Sequence, residues 1–456
     1  MTAFRALWDS LVEVGRDPVS GGYLRHAWSE PELACREWFV AQARSRDLRL
    51  DADGNGNLWA TWDAAAIDER PPGTDPSPSA GNAPTPGGDG RPTLGGDGPP
   101  TLGGDGSRPR DNGPAPGGDG PALGVVTGSH FDSVPHGGAF DGPLGIVCGF
   151  LAIDELRARG AVPVRPITVA AFVEEEGSRF GVACLGSRLL TGAIEPEHAR
   201  ALTDRDGITL ATAMAKAGTD PALIGADPGR LAGIHSFVEL HIEQGRALAD
   251  VPAPIGVGSA IWPHGRWRLD FTGEGNHAGT TAMDQRHDPM LTFAYTVLAA
   301  NKEARLRGAH ATIGRVHISP NATNAIPSRV TGWLDARAAS SSILEDLVVA
   351  VGRRAAERAG RDGTVVSVAA ESTSGEVAFS TDLVTRCAAL LGADTPVLPT
   401  GAGHDAGVLS AFVPTMMLFV RNPTGVSHSP TEHATDDDCV AGVAALAAVL
   451  AELACR

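Results

Sequence analysis

His130, Asp132 and Asp141 share one glycine-rich stretch, GSHFDSVPHGGAFDGPLG from Gly128 to Gly145, directly after the apolar run Leu123–Thr127. Neutral imidazole and carboxylate are the usual ligands of zinc and similar divalent ions, so this is the composition of a metal site at a strand end. Asp132, two residues from His130, is placed to orient the other ring nitrogen of that imidazole. The glycines suit a backbone that turns sharply beside a bound ion, because they accept positive φ at little steric cost. Read alone, the stretch also fits an ordinary glycine-rich turn. Four more polar groups stand at or just beyond apolar runs: Glu175 and Glu176 in FVEEEGSRF, His241 in FVELHIEQG, and His428 after Met416–Val420. In open α/β sheets, ligands bind beyond the carboxyl ends of the strands, so the convergence weakens the plain-turn reading.

The donors His130, Asp141, Glu176, His241 and His428 are one more than a single tetrahedral ion needs together with a water. Two ions sharing a bridging Asp141 would use all five. A metal pair brings a bound water's pKa towards neutrality and polarises a carbonyl. Glu175, beside a ligand but not required as one, is then the natural general base, taking a proton from water and delivering it to a leaving nitrogen. The implied reaction is hydrolysis of an amide-like C–N bond.

The elements that would position these groups follow from apolar periodicity. Phe4, Leu7, Trp8, Leu11 and Val12 recur at helical spacing, and Ser29 with Glu32 reads as a capping box for a second helix through Trp38 and Phe39. Leu58–Trp62 reads as a strand. From 67 to 121 the chain is nearly all Gly, Pro, Asp, Ser and Thr, with GGDG at Gly87, Gly95, Gly103 and Gly117. Such a tract has too little apolar surface to offset its ordering entropy and predicts a disordered insertion in a surface connection. The helix Leu144–Arg159 and the strands Ile167–Val173 and Phe237–Ile242 then predict an α/β sheet, mixed but largely parallel and flanked by helices. Between 255 and 372 the order is strand (Trp267–Phe271), helix (Pro289–Arg307), two strands (Ala311–Ile318, Arg329–Arg337), helix (Leu344–Ala359) and strand (Val365–Ala369). This predicts an inserted α+β unit of β-α-β-β-α-β type. The strand Phe412–Val420 and a helix from Thr435 to Ala454 return to the first unit, which therefore spans 1–254 and 373–456.

The chain has 456 residues, a formal net charge of −17 and six cysteines without metal-type spacing. Its acidity argues against a nucleic-acid or anionic-membrane binder, both of which need clustered Lys and Arg. Small molecules or proteins are the expected partners. A chain this long has no need of disulfides, which points to reduced, mostly buried thiols. No run reaches the length of a membrane span, so a cytoplasmic enzyme is expected.

The motifs GSHFDSVPHGGAFDG, EEEGSRFG, HIEQG, NHAGTTAM, GAGHDAG and VSHSPTEH together resemble the hydantoinase/carbamoylase branch of the di-metal amidohydrolases, relatives of aminoacylases and carboxypeptidases. The resemblance covers nearly the whole chain outside the glycine-rich tract. It implies an α/β catalytic domain with an inserted lid that also forms a homodimer. It implies that His130, Asp141 and His241 hold one ion and Asp141, Glu176 and His428 the other. Such sites accept zinc or manganese first, with cobalt or nickel also suited. Gln244 and His277 would touch the scissile group, His277 as an oxyanion stabiliser. Asn324 and Arg337 would bind a substrate carboxylate, a task that suits the planar fork of Arg; the competing role for Arg337 is an ion pair with Asp335. His404 would contribute to the substrate pocket, shaped by Gly403 and Asp405. His136, His264, His287, His310, His317 and His433 have no matching role. Ala282 stands where the family motif has proline. In SAIWPHGRW, Trp262 and Trp267 are candidates for the pocket or the hinge.

The expected activity is hydrolysis of a ureido acid, with allantoate first, an N-carbamoyl-L-amino acid next, and N-formyl or other N-acyl amino acids after these. A metallopeptidase is the second enzymatic reading. Against it, such relatives commonly have an acidic ligand where His241 stands, and Gln244 suits a ureido group better. A binding protein without catalysis would have no use for Glu175.

Overall fold

The computed structural model describes residues 2–64 and 122–456, and the tract at 67–121 lies outside the described residues. The large sheet has nine strands: β1 (Arg49–Ala52), β2 (Leu58–Trp62), β3 (Gly124–His130), β4 (Ile167–Phe172), β5 (Ile234–Ile242), β6 (Ile255–Ile261), β13 (Val377–Ala378), β14 (Val397–Thr400) and β15 (Thr415–Val420). Their spatial order is β1-β2-β4-β3-β5-β15-β6-β13, with β14 also on β6. The central strands β4, β3, β5 and β15 are parallel, whereas β1, β2, β6 and β13 join antiparallel. Every residue of β3, β4 and β15 is buried. Strands covered on both faces carry continuous apolar runs rather than alternation, which is why these segments are so rich in Val, Ile, Ala, Phe and Met.

One face of the sheet packs against α1 (Ala3–Asp9), α2 (Glu30–Ser45), α3 (Pro143–Ala158) and the last helix, α12 (Asp436–Ala454). Pro143 opens α3, where its fixed φ is already helical and its missing N–H is no loss. Thr435 caps α12 by accepting from Asp438 N at 3.1 Å. The capping box expected at α2 is not made: Ser29 Oγ makes no cap bond, Ser29 N donates to His26 O, and Glu32 instead accepts from Trp28 N at 2.9 Å through Oε2 and pairs with Arg36 through Oε1. The short helices α4 (Leu185–Thr191), α5 (Pro196–Ala201), α6 (Leu210–Lys216) and α7 (Pro228–Ala232) follow β4, and α10 (Thr381–Leu391) and α11 (Asp405–Leu409) precede β15.

The second unit is a four-stranded antiparallel sheet in the order β12-β7-β11-β9, from β7 (His264–Thr272), β9 (His310–Ser319), β11 (Arg329–Arg337) and β12 (Val365–Ser374). The helices α8 (Pro289–Arg307) and α9 (Ser341–Asp362) cover one face, giving the predicted β-α-β-β-α-β order. Along β7, Gly265, Trp267, Leu269 and Phe271 are buried while His264, Arg266, Arg268 and Asp270 take the opposite face, the alternation of a half-covered sheet. A short ribbon pairs β8 (Asn276–His277) with β10 (Ala325–Ile326).

Two expected boundaries move. β6 was expected inside the second unit, which was to begin at 255, but its buried residues pair with β15 and β13 in the large sheet. The chain therefore crosses after Ile261. The last strand begins at Thr415 rather than Phe412: Pro414 cannot donate to a ladder, and Phe412 is 52% exposed in a turn.

Candidate metal centre

The predicted donors gather at the carboxyl ends of the parallel strands. His130 ends β3, His241 lies near the end of β5, Glu175 and Glu176 follow β4, and His428 follows β15. Asp141, in the loop before α3, is central to the group. Its Oδ1 lies 3.2 Å from His241 Nε2 and 3.7 Å from His130 Nε2, while its Oδ2 lies 3.4 Å from His428 Nε2. His428 Nε2 is in turn 3.6 Å from Glu176 Oε1. Two trios result, His130–Asp141–His241 and Asp141–Glu176–His428, each with donor atoms within 4.8 Å of one another.

Their protonation geometry suits a cation. His130 Nδ1 bonds Asp132 O and His241 Nδ1 bonds Ile242 O, each at 2.9 Å, so each ring commits its Nδ1 proton there and turns Nε2 inward. His130 Nε2, His241 Nε2 and Glu176 Oε1 are buried with no hydrogen-bond partner. Buried polar atoms are ordinarily paired, and three orphans converging on one carboxylate fit a divalent ion. The charges argue alike. Burial, then the charge of Asp141, pushes the Glu176 pKa well up; burial, then Glu176, does the same to Glu175. Burial opposes charge on His241, but Asp141 outweighs it and lifts the pKa to about 9. Asp141 itself, despite burial, is held below the usual carboxylate range by His241 and the other two imidazoles.

Glu175 joins neither trio, and its Oε2 lies 3.6 Å from His130 Nε2. Asp132 acts differently from expectation. Its backbone carbonyl, not its carboxylate, meets His130 Nδ1, and its carboxylate oxygens instead accept from Glu175 N at 3.1 Å and Glu176 N at 3.0 Å. The carboxylate thus fixes the turn that presents both glutamates. That turn is strained, with Glu174 at φ 54°.

Sequence reasoning missed two buried carboxylates. Glu432 Oε1 accepts from Phe140 N and Asp141 N, and its Oε2 from Ser427 Oγ, so it holds the backbone of the central aspartate. Its only sequence signal is its place in VSHSPTEH, four residues after His428. Glu239, on the same strand face as His241, accepts from Ser129 Oγ and Ala406 N, both at 3.0 Å. It forms a third trio with His241 and His404. His404 is buried with both ring nitrogens unpartnered, and burial, then His241, keeps it neutral.

A cleft of about 710 Å³ opens over the donors and is shared with the second unit. Gln244, Arg337 and His404 line it, as does His264, for which no role was expected. Gln244 Nε2 donates to Asp141 Oδ2 at 3.0 Å. Arg337 makes the competing ion pair with Asp335, at 3.0 Å, and also donates from Nη1 to Gly401 O at 2.6 Å across the two units. His277 and Asn324 are not among the cleft residues. They sit together on the exposed β8–β10 ribbon, where Ala278 N donates to Asn324 O. His277 Nδ1 accepts from Gly279 N and Thr280 N at 3.0 and 3.1 Å, which leaves the ring proton on Nε2. Trp262 marks the crossing between units and stacks on His310, whereas Trp267 belongs to the small core; neither lines the cleft. His136 bonds Ser20 Oγ at the surface.

The sequence profile of Peptidase family M20/M25/M40 matches residues 126–452. An N-carbamoyl-L-amino acid amidohydrolase of Geobacillus stearothermophilus is 36% identical over 448 residues, 96% of each chain. The allantoate amidohydrolase of Escherichia coli is 34% identical over 72% of this chain and 81% of its own. A crystal structure of a hydantoinase/carbamoylase family amidase from Burkholderia vietnamiensis superposes with a TM-score of 0.78 at 28% identity, covering 99% of this chain and 98% of that one.

Proposed function

The chain belongs to the peptidase family M20/M25/M40, a metal-dependent family, and from that premise we propose that it hydrolyses the ureido C–N bond of a small ureido acid, as allantoate or an N-carbamoyl-L-amino acid. It is an amidohydrolase of C–N bonds other than peptide bonds, like the two relatives. The observation that carries the substrate reading is one cleft lined by Asp141, Glu176 and His428 together with Gln244 and Arg337.

In this proposal His130, Asp141 and His241 hold one divalent ion, and Asp141, Glu176 and His428 the other, with zinc or manganese the best suited. Ions held there would acidify a water and polarise a scissile carbonyl. Glu175 is placed to take a proton from the attacking water and return it to the departing nitrogen. Burial prepares it for the second task, since it favours the protonated carboxyl. Asp132 keeps Glu175 and Glu176 in register. Gln244 offers its amide to the ureido group, and Arg337 exchanges its bond to Gly401 O for the substrate carboxylate.

His277 and Asn324 enter from a second copy. Their ribbon is exposed and outside the cleft of their own chain, and His277 Nε2–H is a ready donor to a developing oxyanion. The second unit is thus both lid and dimerisation domain. The direct test is elemental analysis of the purified protein, followed by ammonia release from allantoate, N-carbamoyl-L-amino acids and N-formyl amino acids. Two equivalents of a divalent metal with turnover of a ureido acid are expected. A metal-free protein inert to all of these would end the proposal.

A further inference from the structure

Three arginines line the cleft, Arg188, Arg266 and Arg337. Two are already balanced: Arg337 by Asp335 and Gly401 O, and Arg266 by Asp335 Oδ2 at 3.7 Å. Arg188 is not. It stands in the last turn of α4, whose Leu185, Leu189 and Leu190 are buried and fix the helix in place. Its Nε donates to Ala183 O at 2.9 Å, which sets the guanidinium plane; among the described residues its two terminal nitrogens have no acceptor and no carboxylate pairs with it. The nearby buried Asp405 accepts from Ser187 Oγ through Oδ1, and although its Oδ2 has no hydrogen-bond partner it makes no ion pair with Arg188. A guanidinium does not shed its proton, so a half-buried one with an open fork calls for an anion from outside.

The rest of the lining narrows the choice. Its apolar residues are Val134, Val182, Ala183 and Ala402, and among the described residues it contains no Phe, Tyr or Trp ring to enclose a bulky apolar side chain. We infer that Arg188 is a specificity-determining residue that pairs with a second acidic group of the substrate, so that the preferred ureido acids are dicarboxylates such as N-carbamoyl-L-aspartate. The inference rests on the ureido-acid reading above. One carboxylate goes to Arg337 on the lid strand β11, the other to Arg188 on the catalytic wall.

The test compares the metal-loaded enzyme on N-carbamoyl-L-aspartate and on its neutral isostere N-carbamoyl-L-asparagine, with Arg188→Gln and Arg188→Lys alongside. A charge-assisted bidentate bond predicts that the aspartate substrate leads by about tenfold or more in kcat/KM. Arg188→Gln should bring the ratio close to one, mainly through KM, and Arg188→Lys should keep part of it. Equal handling of the two substrates by the wild-type enzyme, or an equal loss on both in Arg188→Gln, would overturn the inference. Calorimetric binding of succinate against succinamate gives a readout without turnover: succinate should bind tighter, and Arg188→Gln should abolish the difference. Should no ureido acid be hydrolysed, the ureido-acid reading fails. The succinate pair then still decides Arg188, and no discrimination there sinks it.

Discussion

At the scale of single residues, neighbouring glutamates divide the labour in a way that substitution can separate. Glu176 belongs to a donor trio and Glu175 does not, although burial raises the pKa of both. Glu175→Gln should therefore retain the metals and the fold while kcat drops by roughly 10²–10⁴-fold, the usual contribution of a positioned general base. Because burial, then Glu176, already favours the neutral form of Glu175, the amide should leave the unfolding midpoint unchanged or raise it. Elemental analysis, kinetics and thermal unfolding on one preparation check all three, and a variant that loses its metal would show Glu175 to be a ligand. That these side chains would converge was legible because their residue types stand directly after apolar runs. The role of Asp132 was not. Two-residue spacing from His130 is the same whether the carboxylate or the backbone carbonyl meets the ring, and only the fold shows the carboxylate turned towards Glu175 N and Glu176 N. Glu239 and Glu432 were hidden for a similar reason, since both act through backbone or side-chain donors remote in sequence.

At the scale of elements, the start of α3 ties sheet geometry to the donor set. Gly142 precedes Pro143 at φ +87°, and a Cβ there would stand 2.5 Å from His130 Cε1 and 2.6 Å from His130 O. Gly142→Ala should strain the turn and displace the His130 ring together. The expected results are a loss of more than about 1 kcal/mol in unfolding free energy and metal affinity weakened by about tenfold or more. Gly160, just beyond α3, is the control. It has φ +72°, and a methyl group added there would meet nothing within 4 Å, so Gly160→Ala should cost stability and leave metal titrations as they were. Equal metal affinity in both variants would remove Gly142 from the construction of the site. Most of these elements could be read from periodicity, because a fully buried, apolar-rich run such as β3 or β15 and a long period-3.6 pattern are hard to mistake. The sheet that β6 joins could not. IGVGSAI fits either sheet, and the choice is made by β15, a partner more than 150 residues further on.

At the scale of the whole molecule, one chain carries a cleft without the groups proposed to complete it. His277 and Asn324 lie on an exposed ribbon, and α8 of the same unit presents Leu291, Leu298 and Leu306 at 47%, 71% and 69% exposure. Leu291 and Leu298 are two helical turns apart and share a face, the pattern of a surface made to be covered. In a two-fold dimer the contacts are reciprocal, so if one lid completes the partner's cleft, each active site draws Glu175 from one chain and His277 from the other. Glu175→Gln and His277→Ala homodimers should each be close to inactive, the second by about 10²–10³-fold for the loss of an oxyanion donor. A heterodimer of the two, isolated with two different tags, places both lesions in one site and leaves the other site intact. It should recover about half of the wild-type turnover per dimer. If His277 served its own chain, each site of the heterodimer would carry one lesion and no activity would return. A protein that sediments as a monomer at assay concentration while fully active would rule out the composite site altogether.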